Sequence, residues 1–178
     1  FEDVNNDGLY NIEDKQVVKD LNPKYFGGIQ NQFKYKNLQL DFLFQFVKKE
    51  NYNSSVIASI PGTQSNLPVE LINSWQQAGD IAPFQMFTNG TNVNVLQTFG
   101  RYIESDQTIT DASYVRLKNI ALTWDVPSKI TKGFDCRFTI QGQNLLTFTK
   151  YRGADPEFTS KGYLPPLKIY TATFQISF

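Results

Sequence analysis

Apolar and polar residues alternate along much of this chain with a period of two. The clearest run is LQLDFLFQF, where Leu38, Leu40, Phe42, Phe44 and Phe46 fall on one face and Gln39, Asp41 and Gln45 on the other. Successive side chains of a strand point to opposite sides, so this run predicts a strand with an apolar face backed by a polar one. The preceding GGIQNQFKY sets Ile29, Phe33 and Tyr35 against Gln30, Gln32 and Lys34. Lys36-Asn37 between the two is short enough for a tight hairpin, with Asn37 tolerating the positive φ such a turn requires. A third run, from Tyr114 to Val126, sends Ile120, Leu122, Trp124 and Val126 one way and Ala121, Thr123 and Asp125 the other. Val115 and Leu117 are out of phase with it, which predicts a bulge near Lys118-Asn119.

After Pro127-Ser128, CRFTIQGQNLL sets Phe138 and Ile140 against Arg137, Thr139, Gln141 and Gln143. The last run, KIYTATFQISF, places Tyr170, Ala172, Phe174, Ile176 and Phe178 on one face, with Thr171, Thr173, Gln175 and Ser177 on the other. That makes about five strands, joined alternately by short connectors (36–37 and about 127–134) and long ones (about 48–111 and 148–167). The first long connector is punctuated by Gly, Pro, Asn and Ser and carries one predicted helix, PVELINSWQQAG, ending at Gly79.

Two architectures alternate in this way. A soluble β-sandwich turns its apolar faces inward, and a transmembrane β-barrel turns them outward to lipid. Three details favour the barrel. The opposite faces carry Gln, Thr and Asn rather than Lys and Glu, loop lengths alternate strictly, and the chain ends on a strand closing in Phe178. Five strands do not close a barrel. The expected fold is therefore all-β: an antiparallel transmembrane β-barrel fragment of about five C-terminal strands, with long extracellular loops, one carrying a short helix.

Composition narrows the chemistry. Lys plus Arg and Asp plus Glu stand at 17 each, so no net field draws nucleic acid or an anionic surface. The absence of His removes the commonest general base and transition-metal ligand, and with them every Ser-His or Cys-His pair. Cys136 stands alone and reads as a small apolar strand residue. No catalytic constellation is present, and an enzyme is not expected. No run approaches the ~18 apolar residues of a membrane helix. The chain opens on Phe1 with nothing like a signal peptide, and it reads as a fragment or processed piece.

One stretch has metal-binding spacing. DVNNDGLYNIED places Asp3, Asn5, Asp7, Gly8, Leu9, Asn11 and Asp14 at positions 1, 3, 5, 6, 7, 9 and 12 of an EF-type loop. Oxygen donors at 1, 3 and 5, the carbonyl at 7, a water-mediated 9 and a carboxylate at 12 suit a hard cation. Asp3, Asn5, Asp7, Leu9, Asn11 and Asp14 are therefore the expected Ca²⁺ ligands, in a structural loop staple. Asp at position 12 has a shorter reach than the usual Glu, and the competing reading is an acidic turn held by Asx hydrogen bonds. Asp155-Pro156-Glu157 reads as a turn beside the final strand. Arg116, Lys118 and Arg137 read as paired charges within a barrel wall. Trp75, Phe84, Phe87 and Phe99 suit stacking on sugars or a partner, or packing within the loop.

In order along the chain stand DVNNDG, NPKYFGGIQNQFKYKNLQLDFLFQF, SWQQAGD, DASYVRLKNIALTWDVP, IQGQNLLTFTKYRGADPE and the strand ending in Phe. In this the chain resembles the carboxy-terminal end of the SusC/RagA-type TonB-dependent outer-membrane transporters of Bacteroidota. The resemblance implies a 22-stranded barrel around an amino-terminal plug, in the cell outer membrane. It also implies a SusD-like surface lipoprotein as lid, the TonB complex acting through N-terminal parts outside these residues, and an oligosaccharide or oligopeptide substrate. On it, 1–24 is an extracellular calcium-type loop, 25–47 a hairpin, 48–111 a long extracellular loop, 112–147 a hairpin, 148–167 an extracellular loop and 168–178 the terminal strand. The rival reading is a soluble calcium-stabilised β-domain that binds a glycan, with the aromatic faces packed into a two-sheet core.

Overall fold

The computed structural model describes residues 2–16, 19–53, 59–159 and 164–177. Five long strands form one antiparallel sheet: β1 (Tyr25–Tyr35), β2 (Leu38–Lys48), β5 (Tyr114–Val126), β6 (Asp135–Thr149) and β7 (Ile169–Ser177), paired in that order. Two short strands, β3 (Glu50–Tyr52) and β4 (Ile109–Asp111), pair with each other beyond the ends of β2 and β5. They continue that hairpin as an arm, and the described residues 59–108 form its distal part. The terminal Phe178 lies outside the described residues.

Register explains the alternation. Tyr35, Leu38, Trp124, Phe138 and Phe174 are cross-strand neighbours in a single row spanning the five strands. Phe33, Leu40, Leu122, Ile140 and Ala172 form the next apolar row on the same face. Between these rows, Lys34, Gln39, Thr123, Thr139 and Thr173 line up on the opposite face, followed by Gln32, Asp41, Ala121, Gln141 and Thr171. Near the other end of the strands, Phe46, Val115 and Phe148 make a second bulky row. Gly27 opposes Phe46, and a Cβ there would lie 2.6 Å from the Phe46 ring, so glycine lets that ring lie across β1.

The bulge falls at Lys118: pairing with β6 runs Leu117 to Leu146 and then Asn119 to Gln143. Its effect is to return Val115 and Leu117 to the face of Ile120, so β5 keeps one apolar side despite its change of phase. On β6, Asn144 takes up the irregularity at φ +53°. In the β1–β2 turn the left-handed residue is Lys36 (φ +53°) rather than Asn37, and the Lys36 ammonium lies 5.2 Å from the Tyr35 ring centroid.

No second sheet covers the apolar face among the described residues; Phe33, Phe148 and Phe174 remain 56, 60 and 59 % exposed. A sandwich would bury these rings, so the two-sheet core of the rival reading is not formed. The sheet is a segment of barrel wall, apolar outside and polar inside. No helix among the described residues is long and apolar enough to cross a membrane, a statement silent about strands that do.

The helix of the long loop lies elsewhere than the sequence predicts. Residues 68–79 form only a 3₁₀ turn, Val69–Asn73. The chain then leaves helical geometry because Ser74 bridges to Phe84 and the Trp75 amide donates to the Phe84 carbonyl at 2.9 Å. The Asp80 carboxylate draws the Gln76 and Gln77 amides, each at 3.0 Å, into a tight turn. The α-helix is instead α1 (Val93–Ile103), N-capped by Asn92, whose side chain accepts from the Asn94 and Val95 amides. A second helix of one turn, α2 (Ser128–Thr131), fills the β5–β6 connector.

Candidate functional site

Function in a barrel wall resides on its inner face and at its loop-bearing mouth, and the burial follows that logic. Val47, Ala112, Tyr114, Arg116, Leu117, Tyr151 and Asp155 are all buried, and they gather where the strands pass into the loops. Arg116 is the most telling of these, at 1 % exposure. It occupies the polar face of β5 opposite Gln45 on one side and Thr147 on the other. Each of its three guanidinium nitrogens donates: Nη2 to Asp155 Oδ2 at 2.6 Å, Nη1 to Glu157 Oε2 at 2.8 Å and Nε to Thr147 Oγ1 at 3.1 Å. Its charge also sits 5.1 Å from the centroid of the Tyr114 ring.

The Asp155-Pro156-Glu157 turn is thus the counter-charge of β5. Asp155 Oδ1 accepts from the Glu157 amide at 2.8 Å, which fixes the turn and aims both carboxylates at Arg116. Lys118, displaced by the bulge, adds an ion pair to Glu157 at 3.4 Å. Arg137 pairs with Asp125 at 2.7 Å, near the opposite end of the strands. Lys49 faces the same cluster: burial pushes its ammonium pKa down, against the pull of Glu157 and Asp155. Lower on the inner face the side chains bond laterally, Gln141 Nε2 to Asn119 Oδ1 at 2.8 Å and Thr123 with Thr139 at 3.1 Å.

Above the sheet the loops are tied to one another. The Tyr151 hydroxyl donates to the Tyr52 carbonyl at 2.9 Å and Thr149 Oγ1 to the Ser113 carbonyl at 2.7 Å, joining the β6–β7 loop to the arm. At the root of the arm, hydrogen bonds from Ser113, then its neighbour Lys48, hold the Asp111 carboxyl down at about 2. A cleft of about 790 Å³ opens between α1 and residues 82–86, with Trp75, Phe84 and Tyr102 in its walls. Of the other loop aromatics, Phe99 is buried beneath α1 and Phe87 is 51 % exposed. Trp75 and Phe84 belong to the group of loop aromatics evident in the sequence, and Tyr102 joins them because the helix of this loop lies at Val93–Ile103.

The calcium-type loop closes upon itself. Asp3 accepts from the Asp7 and Gly8 amides at 3.2 and 2.8 Å, Asn5 from the Asp7 amide at 3.1 Å and Asp7 from the Leu9 amide at 2.7 Å. Gly8, at φ +80°, makes the reversal. Asn11 caps a 3₁₀ turn, Ile12–Asp14, and Asp14 answers with one oxygen on the Asn11 amide and the other on the Val4 amide, each at 2.8 Å. Those two backbone bonds, Asn11 first, hold the Asp14 carboxyl below its usual range. Among the described residues no three acidic, Cys or His side chains converge as a metal-holding group. The loop lies beside the long loop: Lys15 pairs with Glu104 at 2.6 Å, and Arg101 stands 5.9 Å from the Tyr10 ring centroid.

No family model matches the chain. It is similar to TonB-dependent receptor P3 of Formosa agariphila, 29 % identical over 161 residues, covering 88 % of this chain and 15 % of that protein. TonB-dependent receptor P39 of the same organism is 25 % identical over 177 residues, covering 91 % of the chain and 16 % of its own length. Among solved structures the RagAB peptide transporter superposes with a TM-score of 0.72 at 26 % identity, covering 96 % of this chain and 19 % of that one. The RagAB peptide importer in its closed-closed state gives 0.74 at 27 %, with the same coverage. The chain thus spans 15–16 % of the length of these curated relatives. The two-faced sheet, the order of its strands and these likenesses make the chain similar to part of the barrel of RagA-type TonB-dependent receptors.

Proposed function

We propose that this segment forms wall and extracellular mouth in an outer-membrane importer that takes up oligomeric nutrients, with a SusD-like lipoprotein as lid. TonB would engage parts of the receptor other than these strands. The observation that carries the reading is the single sheet with an uncovered apolar face and an inner face of Gln, Thr and Asn. Such a surface is stable only where lipid covers one side and water the other. The solved relatives are described as peptide transporters, which supports an oligopeptide over an oligosaccharide. The test is growth of the source bacterium, with and without the gene, on defined oligopeptides or oligosaccharides as sole nutrient. Loss of growth on one class, restored by complementation, is expected. Unaltered growth on both, with the protein absent from outer-membrane fractions, would sink the reading.

The opening loop has a second role in this proposal, as a calcium staple. Its donors are all oxygens, the right type for a hard cation, and Asp3 and Asp14 are already oriented by backbone amides. Bound calcium would supply a fixed charge joining the two ends of the loop. Terbium luminescence sensitised by Tyr10 reads occupancy: displacement by calcium in the wild type and loss in Asp3→Asn are expected. A signal untouched by Asp3→Asn and Asp14→Asn would remove the ion from the account.

A further inference from the structure

The β6–β7 loop does not stand away from the barrel. Asp155 and Glu157 follow the end of β6 at Thr149, yet they bond to Arg116 and Lys118, which stand inside β5, past its end at Tyr114. At ~3.4 Å per residue those positions lie about 7–14 Å down the strand from the mouth. Residues 150–159 therefore fold back over the inner face. Tyr151, Asp155 and Pro156 are buried there, while Arg152, Ala154 and Phe158 remain exposed. Tyr151 anchors one end of the fold on the arm, and the Arg116 fork anchors the turn.

We infer that Arg116 is a positioning residue that straps residues 150–159 against the inner wall and so sets the bore of the mouth on this side. The chemistry suits a fixed strap. A guanidinium reaching two carboxylates through separate nitrogens fixes direction as well as distance, which an ammonium at the same place would not. The turn is held by its own Asx bond, so it moves as a unit or not at all. A loop pinned in this way acts as part of the wall and filters solutes by size; released, it leaves a wider opening. The inference rests on the import reading for its purpose, but its geometry is separable from transport.

The test uses the full-length protein, purified without a lid. A spin label at Ala154 reports strap mobility. A cysteine replacing Asn119, in a Cys136→Ser background, reports the bore through its labelling by maleimides of increasing size. The variant is Arg116→Met/Asp155→Asn/Glu157→Gln, which removes the buried guanidinium together with both carboxylates and leaves only the part-exposed Lys118 and Lys49 without these partners; Arg116→Lys, keeping the charge without the fork, is the milder companion. Expected are a severalfold larger mobile fraction, access of Asn119→Cys to reagents excluded from the wild type, and an intermediate result for Arg116→Lys. An unchanged label in the triple variant would overturn the strap. A mobile label with an unchanged reagent cut-off would overturn its control of the bore. Failure of the growth experiment leaves both readouts intact, so the two ideas fail separately.

Discussion

Placing lysine at two adjacent positions of β5 tests the two faces of the sheet directly. Ile120 lies on the apolar face in the row of Phe42, and its neighbour Ala121 lies on the polar face between Asp41 and Gln141. Trp124, which stands in the aromatic row of Tyr35, Phe138 and Phe174, lies four positions along the strand from Ile120. At ~3.4 Å per residue and a tilt of ~40°, that is about 10 Å along the membrane normal, close to half of a ~25 Å apolar band. Ile120 therefore sits near mid-depth. Ile120→Lys should cost about 2–4 kcal/mol of folding free energy, roughly 30- to 900-fold in the equilibrium. Ala121→Lys should be near neutral, since its ammonium meets water and the Asp41 carboxylate. Val126→Lys, past the aromatic row on the same face as Ile120, should cost only about 0–1 kcal/mol.

The assay is reversible denaturant titration of the full-length protein in lipid bilayers, with Trp fluorescence as the readout. A ranking of Ile120→Lys far above Val126→Lys and Ala121→Lys confirms both face and depth. Equal costs at 120 and 121 would refute the assignment of faces, and equal costs at 120 and 126 would refute the depth.

Two further outcomes follow from the loops. Asn92→Ala removes the side-chain oxygen that receives the Asn94 and Val95 amides, so it should destabilise α1 by about 1 kcal/mol and speed amide exchange across α1 about fivefold. Exchange unchanged relative to the wild type would mean the cap is idle. Asp111 has a carboxyl held at about 2 against an ordinary 3.8, so its contribution to stability is complete above pH 3.8 and fades as the pH falls toward 2. Protection against amide exchange at Glu50–Tyr52 and Ile109–Asp111, taken relative to the intrinsic rate at each pH, should therefore fall over that interval in the wild type. In Asp111→Asn the protection should be low and independent of pH, and a persistent acid step there would assign the effect to another group.

Strand positions were legible because lipid on one side and water on the other impose the same rule at every step. Even the bulge announced itself, since Val115 and Leu117 kept apolar character while changing phase, which an unbroken strand cannot accommodate. At the hairpin, Asn37 has the better intrinsic tolerance of positive φ, yet in the two-residue turn joining Tyr35 to Leu38 it is Lys36 that carries it, at φ +53°. The long loop was harder. VNVLQTFGRYI carries Val93, Asn94 and Val95 in its first turn and contains Gly100, all poor helix formers, whereas PVELINSWQQAG has conventional start and stop signals. Tertiary bonds decided otherwise, with Phe84 taking the backbone of Ser74 and Trp75.

The pairing of Arg116 with Asp155 and Glu157 was hidden for a different reason. An arginine on the polar face of a strand and an acidic turn beyond the next strand are each ordinary, and no periodic signal links positions 39 and 41 residues apart. The clue lay in the cost of the alternative. An arginine at the lip of a barrel can reach water, so burying it requires charged partners brought to it. The neighbouring strand residues Gln45 and Thr147 carry no charge, so the counter-charges had to come from a loop. The nearest acidic pair on the loop leaving the partner strand is Asp155 and Glu157. In a sheet of this kind, a basic residue on the inner face close to a long loop thus marks where that loop descends, and the loop's acidic turn identifies the piece that does so.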